Sequence, residues 1–182
     1  MLESLSIEQL IELIKTEFAD VTREGGISWR EVDAWDSGGQ EYLFDLAKKI
    51  DIEEGWEELV NSATWDIYEW SDNWSELDPV SFRYYLAAAM VRDLQSDQDY
   101  ISYHRFCSGN REKFSEFTKR QKIIVAEFVQ YKLDEDRKVN FPEKVGQPAV
   151  DTSHFSANSQ PDDSEWCNAY LHWKQFLSSD KP

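Results

Sequence analysis

Two histidines and two cysteines have the residue types of a zinc site. His104 and Cys107 are three positions apart and Cys167 and His172 are five apart, so the four side chains could nominally form a Cys₂His₂ set. The second spacing opposes this interpretation, because five residues on a helix place Cys167 and His172 about 140° apart around its axis. It also matches no familiar zinc signature. We therefore predict no metal site and no cofactor, and interpret both cysteines as small buried side chains.

Two other residue pairs could act in catalysis. His104 and Cys107 are near enough on a helix to serve as base and nucleophile, and Asp33 shares a helical face with Asp36 as an acid–base pair would. No orienting group accompanies the first pair, and an acidic protein disfavours a thiolate. Acids at a helix start usually face the helix dipole and solvent. Since known catalytic motifs are also missing, we predict no catalytic residues, and an enzyme with Asp and His groups from distant segments stays an alternative.

An acidic stretch rich in tryptophan lies between Lys49 and Arg83. It contains ten carboxylates and no basic residue, and such an excess creates a strongly negative potential. Aromatic rings anchor protein interfaces, and carboxylates steer a basic partner toward them. The alternative is that the indoles form core while the acids solvate the outer faces, since Trp is usually largely buried. The predicted partner-binding residues are Glu53, Glu54, Trp56, Glu57, Glu58, Trp65, Asp66, Glu69, Trp70, Asp72 and Trp74.

The whole chain shares this excess of negative charge. Its 182 residues include 36 acidic and 19 basic ones, which gives a net charge of −17. Such a domain repels nucleic acid and anionic membranes and attracts basic proteins. Two cysteines are few for a small secreted domain, residues 1–5 lack a signal-peptide pattern, and the longest apolar run, 84–91, is too short to cross a bilayer. We therefore expect a cytoplasmic protein with a basic protein partner.

Capping patterns and apolar periodicity predict the elements that hold these residues. Capping boxes begin at Ser6, Ser28 and Thr118, and Asp78-Pro79 is a strong helix start. The helix that follows, 80–94, is apolar almost all round from 84 to 91, which is typical of the buried centre of a bundle. The fold class is therefore all-α, a single-domain irregular helical bundle spanning 1–182. The other predicted segments are helices at 40–50 (with Leu43, Leu46, Ala47 and Ile50 inward), 51–60, 64–70, 100–106 (helix or strand), 118–133 and 164–178, and a long loop at 134–163.

Two of these helix blocks resemble an uncharacterised bacterial family of helical proteins. The segment 77–91, with Asp78-Pro79 leading into a Phe-Arg-Tyr-Tyr-Leu run, is similar to that family's central helix. Phe117-Thr118 followed by Gln121 resembles its second block, which enters an apolar helix ending in Tyr131. The resemblance implies a small helical protein of no established activity. Many such families resemble the immunity proteins encoded beside bacterial toxins, an analogy of fold.

Charge, aromatic content and the missing catalytic motifs together favour a binding protein. Our functional hypothesis is an acidic protein that occludes a basic partner, as an immunity or inhibitor protein does for its cognate bacterial toxin or effector. A structural or regulatory subunit that pairs with itself through an apolar face is a further alternative. No particular oligomeric state follows from the sequence.

Overall fold

A computed structural model of the chain describes residues 5–36, 38, 41–50, 55–63, 65, 73–96, 100–151 and 163–177. Every regular element in these ranges is helical, and no strand occurs among them. The predicted all-α fold class is therefore confirmed. The α-helices are α1 (Ile7–Glu17), α2 (Trp29–Asp36), α3 (Glu41–Ile50), α4 (Glu57–Val60), α5 (Asn73–Glu76), α6 (Pro79–Leu94), α7 (Lys119–Asn140) and α8 (Trp166–Leu177), and 3₁₀ turns span Tyr103–Phe106, Ser108–Phe114 and Pro142–Lys144.

The chain divides into two compact units. The central unit consists of Ile14–Ile101 and Glu112–Phe117. The terminal unit consists of Met1–Leu13, Ser102–Arg111 and Thr118–Pro182. Among the helices of the described ranges, none combines the length and the apolar character needed to cross a bilayer.

The core of the central unit is built around α6. Asp78 caps this helix by accepting from the amides of Val80 (2.8 Å) and Ser81 (3.0 Å), and Pro79 occupies its first turn. The same carboxylate accepts from the amide of Ile27 at 2.7 Å, which ties a distant loop to the helix start. Residues 84–91 are all buried, as the apolar run predicts, and the three consecutive alanines present little side-chain bulk to their neighbours.

The terminal unit is built on α7 and α8, which pack against each other. Thr118 and Gln121 form a reciprocal capping box at the start of α7. The rings of Phe106, Phe128 and Trp166 meet at centroid distances of 5.6 to 6.2 Å. These contacts join the two helices to the 3₁₀ turn that contains Phe106. The sequence pattern allowed either a helix or a strand at 100–106, and the regular element found there is helical.

The other predicted helix starts also have the expected hydrogen bonds. At Ser6 and at Ser28 the hydroxyl accepts from the amide three residues later, and that later side chain accepts from the serine amide in return. The pairs are Ser6 with Gln9 (3.2 and 2.9 Å) and Ser28 with Glu31 (3.0 and 2.7 Å). These caps depend only on residues within one turn, so they can be read from sequence.

Three features of the predicted elements differ from the structure or lie outside it. Leu46 was predicted to face inward on α3 but is 51% exposed, whereas Ala47 is buried. Helix α7 continues to Asn140 instead of ending near Leu133, so the predicted loop cannot begin at residue 134. Of the segments predicted as helices at 51–60 and 64–70, residues 51–54, 64 and 66–70 lie outside the described residues, and the described part of the first segment contains α4.

Candidate functional site

Three of the predicted docking residues are indoles in the interior. Trp56, Trp65 and Trp74 are 0%, 5% and 1% exposed. The indole N–H of Trp56 donates to the carbonyl oxygen of Phe18 at 2.8 Å, which satisfies its polar end inside the core. In this conformation these three rings are core, so no partner can contact them without a rearrangement.

The buried indoles belong to one aromatic cluster. The ring of Trp29 contacts Trp65, Trp74 and Tyr85 edge-on, at centroid distances of 5.7, 5.2 and 5.4 Å. Trp65 also contacts Tyr85 at 5.6 Å. The Tyr85 hydroxyl accepts from the Trp29 amide at 2.8 Å. The cluster therefore joins the start of α2, the start of α5 and the middle of α6, and its rings serve packing.

Two carboxylates of the predicted site are exposed, in contrast to its buried rings. Glu57 and Glu58 lie in α4 and are exposed, while the opposite face of this helix buries Leu59 and Val60 against α6. These two acids are therefore available to a partner. The remaining predicted residues lie outside the described part of the chain: Glu53, Glu54, Asp66, Glu69, Trp70 and Asp72.

The negative charge is concentrated in the central unit. Its residues include 23 acidic and 8 basic ones, a net charge of −15. The terminal unit has 13 acidic and 11 basic residues, a net charge of −2. Nearly all of the chain's uncompensated charge therefore lies in one unit, the one that contains the predicted acidic stretch.

Half of the central unit's basic side chains donate hydrogen bonds to its own backbone. Four of the eight bind carbonyl oxygens within the unit, and Arg92 also stacks over the ring of Tyr100 at 4.7 Å. These side chains therefore help to hold the unit together, and they keep their positive charge. The donor–acceptor pairs are Arg23 with Gly26 (2.8 Å), Arg83 with Glu116 (2.6 Å), Arg92 with Trp65 (3.1 Å) and Lys113 with Ser75 (2.8 Å).

Neither cysteine has the environment of a nucleophile. Both are free thiols, and burial raises the pKa of Cys107 and of Cys167 to about 11. Burial also lowers the pKa of His104, so neither His104 nor Cys107 favours its charged form. No group of three or more possible metal ligands is assembled among the residues that the structure describes. Asp33 accepts from the amide group of Asn73 at 2.6 Å, which gives this carboxylate a structural partner.

A buried ion pair in the terminal unit was missed by the sequence reasoning. Arg137 donates to both carboxylate oxygens of Asp163, at 2.8 and 2.5 Å, and to the carbonyl of Gln147 at 2.8 Å. The pair is almost fully buried, with side-chain exposures of 3% and 2%. The available signal was the i,i+4 spacing from Leu133 to Arg137, which extends the buried face of α7 through what looked like solvated charge.

Six large apolar side chains of the described ranges remain exposed. Three lie in the central unit on α2 and α3, and three lie in the terminal unit at and after the end of α7. They are Trp35, Tyr42 and Leu46, and Val139, Val145 and Val150. Only the first group lies in the strongly acidic unit.

Comparison with known proteins bears on the family and not on the chemistry. No curated protein and no solved structure matches the chain. The profile of a family of unknown function, DUF6714, matches residues 6–147. The matched range contains both helix blocks on which the predicted resemblance rests, and it covers the whole central unit from Ile14 onward. The chain therefore belongs to the family of unknown function DUF6714.

Proposed function

We propose that this protein is a cytoplasmic binding protein that occludes a basic protein partner, acting as an immunity or inhibitor protein for a cognate bacterial toxin or effector. The observation that carries the proposal is the net charge of −15 on the central unit, beside −2 on the terminal unit. A charge concentrated in this way orients an approaching cation and raises its local concentration. Association with a basic protein is thus accelerated, and association with nucleic acid or anionic membranes is opposed.

The central unit supplies the docking surface in this proposal. Four of its eight basic side chains bind backbone carbonyls inside the unit, and Glu57 and Glu58 are exposed to solvent. The predicted role of the indoles changes accordingly. Trp56, Trp65 and Trp74 are core side chains, so in this proposal they stabilise the unit that presents the surface and do not contact the partner.

The proposal is tested by co-expression with the protein encoded by the adjacent reading frame. We expect that protein to be basic, to slow growth when produced alone, and to form a stable complex with this chain when the two are produced together. Charge reversal then examines the surface. Changing Glu57 and Glu58 to Lys should slow association by roughly tenfold at physiological ionic strength, since steering depends on the local field.

A matched reversal in the other unit is the control. Glu143 and Asp151 are also exposed, and changing both to Lys alters the total charge by the same amount. Because screening confines each charge to about 8 Å at physiological ionic strength, this variant should associate at close to the normal rate. Equal slowing by the two reversals would contradict a localised docking surface. A neighbouring protein that is acidic, or that forms no complex, would contradict the proposed function.

A further inference from the structure

Helix α3 leaves an apolar face uncovered in the acidic unit. Tyr42 and Leu46 are 63% and 51% exposed, and they lie one turn apart at i,i+4 on the same face. The opposite side of the helix carries Ala47, which is buried, and packs on α2. Trp35 of α2 is 57% exposed and contacts Phe44 of α3 edge-on at 6.4 Å. Exposed large rings on two paired helices are typical of an interaction surface.

An acidic stripe runs beside the apolar face. Glu41 and Asp45 each precede one of the exposed apolar residues by one position, and both are themselves exposed. Lys48 faces Glu31 at 3.6 Å, on the side toward α2. Lys49, also exposed, adds one positive charge in the last turn of the helix. A partner that covers Tyr42 and Leu46 therefore meets the carboxylates of Glu41 and Asp45 along the helix and two lysines in its last turn, of which Lys48 already faces Glu31.

We propose that α3, together with Trp35, is the docking surface for a basic amphipathic helical segment of the protein partner. The inference rests on the proposed function and names the surface that carries it out. Apolar residues of the partner segment, spaced at i and i+4, cover Tyr42 and Leu46, and its Lys or Arg side chains face Glu41 and Asp45. The net charge of −15 on the surrounding unit favours this occupant over a second copy of the chain, which would bring an equal negative charge.

The test uses two synthetic peptides and the full chain. One peptide is an amphipathic helix of about five turns made of Leu and Lys, with Leu at i and i+4. The other has the same composition in an order that forms no apolar stripe. Fluorescence anisotropy with labelled peptides, at about 0.1 M salt, should show that the chain binds the striped peptide about tenfold more tightly, because only that peptide covers the aromatic and aliphatic anchors.

Matched variants assign the binding to the α3 face. Changing Tyr42 and Leu46 to Ala should remove the preference for the striped peptide, whereas changing Val139 and Val145 to Ala, which truncates exposed apolar residues of the terminal unit, should leave it intact. Changing Lys49 to Gln should tighten binding, since it removes a positive charge that would face the basic peptide. A self-pairing surface would respond in the opposite way, because antiparallel copies of α3 would place Lys49 against Glu41 and Asp45.

Each outcome bears on a different claim. Equal affinity for the two peptides overturns the α3 surface and leaves the charge-driven proposed function standing. Failure to bind either peptide at low salt overturns both. Sedimentation equilibrium supplies the last comparison: a wild-type dimer that becomes a monomer in the Tyr42 and Leu46 variant would show that a second copy covers this face, which also overturns the proposal.

Discussion

Replacing Arg137 by Met should be far more damaging than replacing its neighbour Lys138, although both side chains form ion pairs of the same length. Arg137 lies 2.5 Å from Asp163 and Lys138 lies 2.5 Å from Glu135. The first pair is 3% and 2% exposed and the second is 58% and 43% exposed. The two adjacent positions therefore differ in burial and in hydrogen bonding, because Arg137 also donates to the second Asp163 oxygen and to the carbonyl of Gln147.

The expected magnitudes follow from what each substitution leaves behind. Without Arg137 the carboxylate of Asp163 stays buried with no counter-charge, which costs about 3–5 kcal/mol of unfolding free energy. Without Lys138 the carboxylate of Glu135 is solvated, and the loss is below about 1 kcal/mol. Urea unfolding of the two variants, followed by tryptophan fluorescence, measures both values. A loss below about 1 kcal/mol for the Arg137 variant would refute the argument from burial.

Acid provides a second readout of the same pair. Burial by itself raises the pKa of Asp163, but hydrogen bonds from Arg137 and Ser164 outweigh it and hold this pKa below its ordinary value of 3.8. A carboxyl with a lowered folded-state pKa contributes stability that is complete above the ordinary value and is lost as the pH falls below it. The Arg137 variant should therefore lose less stability than the wild type between neutral pH and pH values below 3.8, and an unchanged acid profile would contradict this assignment.

Three further predictions concern the core and its caps. Changing Gly26 to Ala should destabilise the protein by about 1–3 kcal/mol, because the new Cβ would lie 2.2 Å from the Ser81 hydroxyl; adding the change of Ser81 to Ala should recover part of the loss in thermal unfolding. Changing Asp78 to Ala removes the helix cap and should lower the free energy of unfolding by at least about 1 kcal/mol. Burial raises the pKa of Asp78, but hydrogen bonds from backbone amides outweigh it and lower this pKa overall. The stability of the variant should therefore depend less on acid than that of the wild type. In a thiol titration at pH 8, Cys107 should react slowly and the buried Cys167 should react only on unfolding. The reason is that with a pKa of about 11 only about one thiol in a thousand is ionised at this pH. Rapid reaction of both thiols would contradict these pKa values.

Local signals in the sequence were enough for the helix starts and for the central helix. A capping box involves residues within a single turn, so the pattern and the hydrogen bonds coincide at Ser6, Ser28 and Thr118. The apolar run 84–91 had no alternative to burial, because no polar face interrupts it. The net charge is also available from the sequence alone, since it is a count of acidic and basic residues.

The placement of the candidate site depended on tertiary structure. A tryptophan in an acidic stretch can be an interface anchor or a core residue, and only the cluster around Trp29 shows that Trp65 and Trp74 are core. The opposite error occurred at Leu46, whose helical spacing predicts burial although the side chain is 51% exposed. Periodicity identifies an apolar face but cannot say whether a second element packs on it.

Composition, capping and apolar runs by themselves determined an acidic all-α protein with a buried helix at Pro79–Leu94, because these properties arise from residues close together in the chain. Only the tertiary structure decided that Arg137 pairs with Asp163, 26 residues away, and that −15 of the −17 charge lies in one unit. The reason is that both facts depend on which distant segments fold against each other.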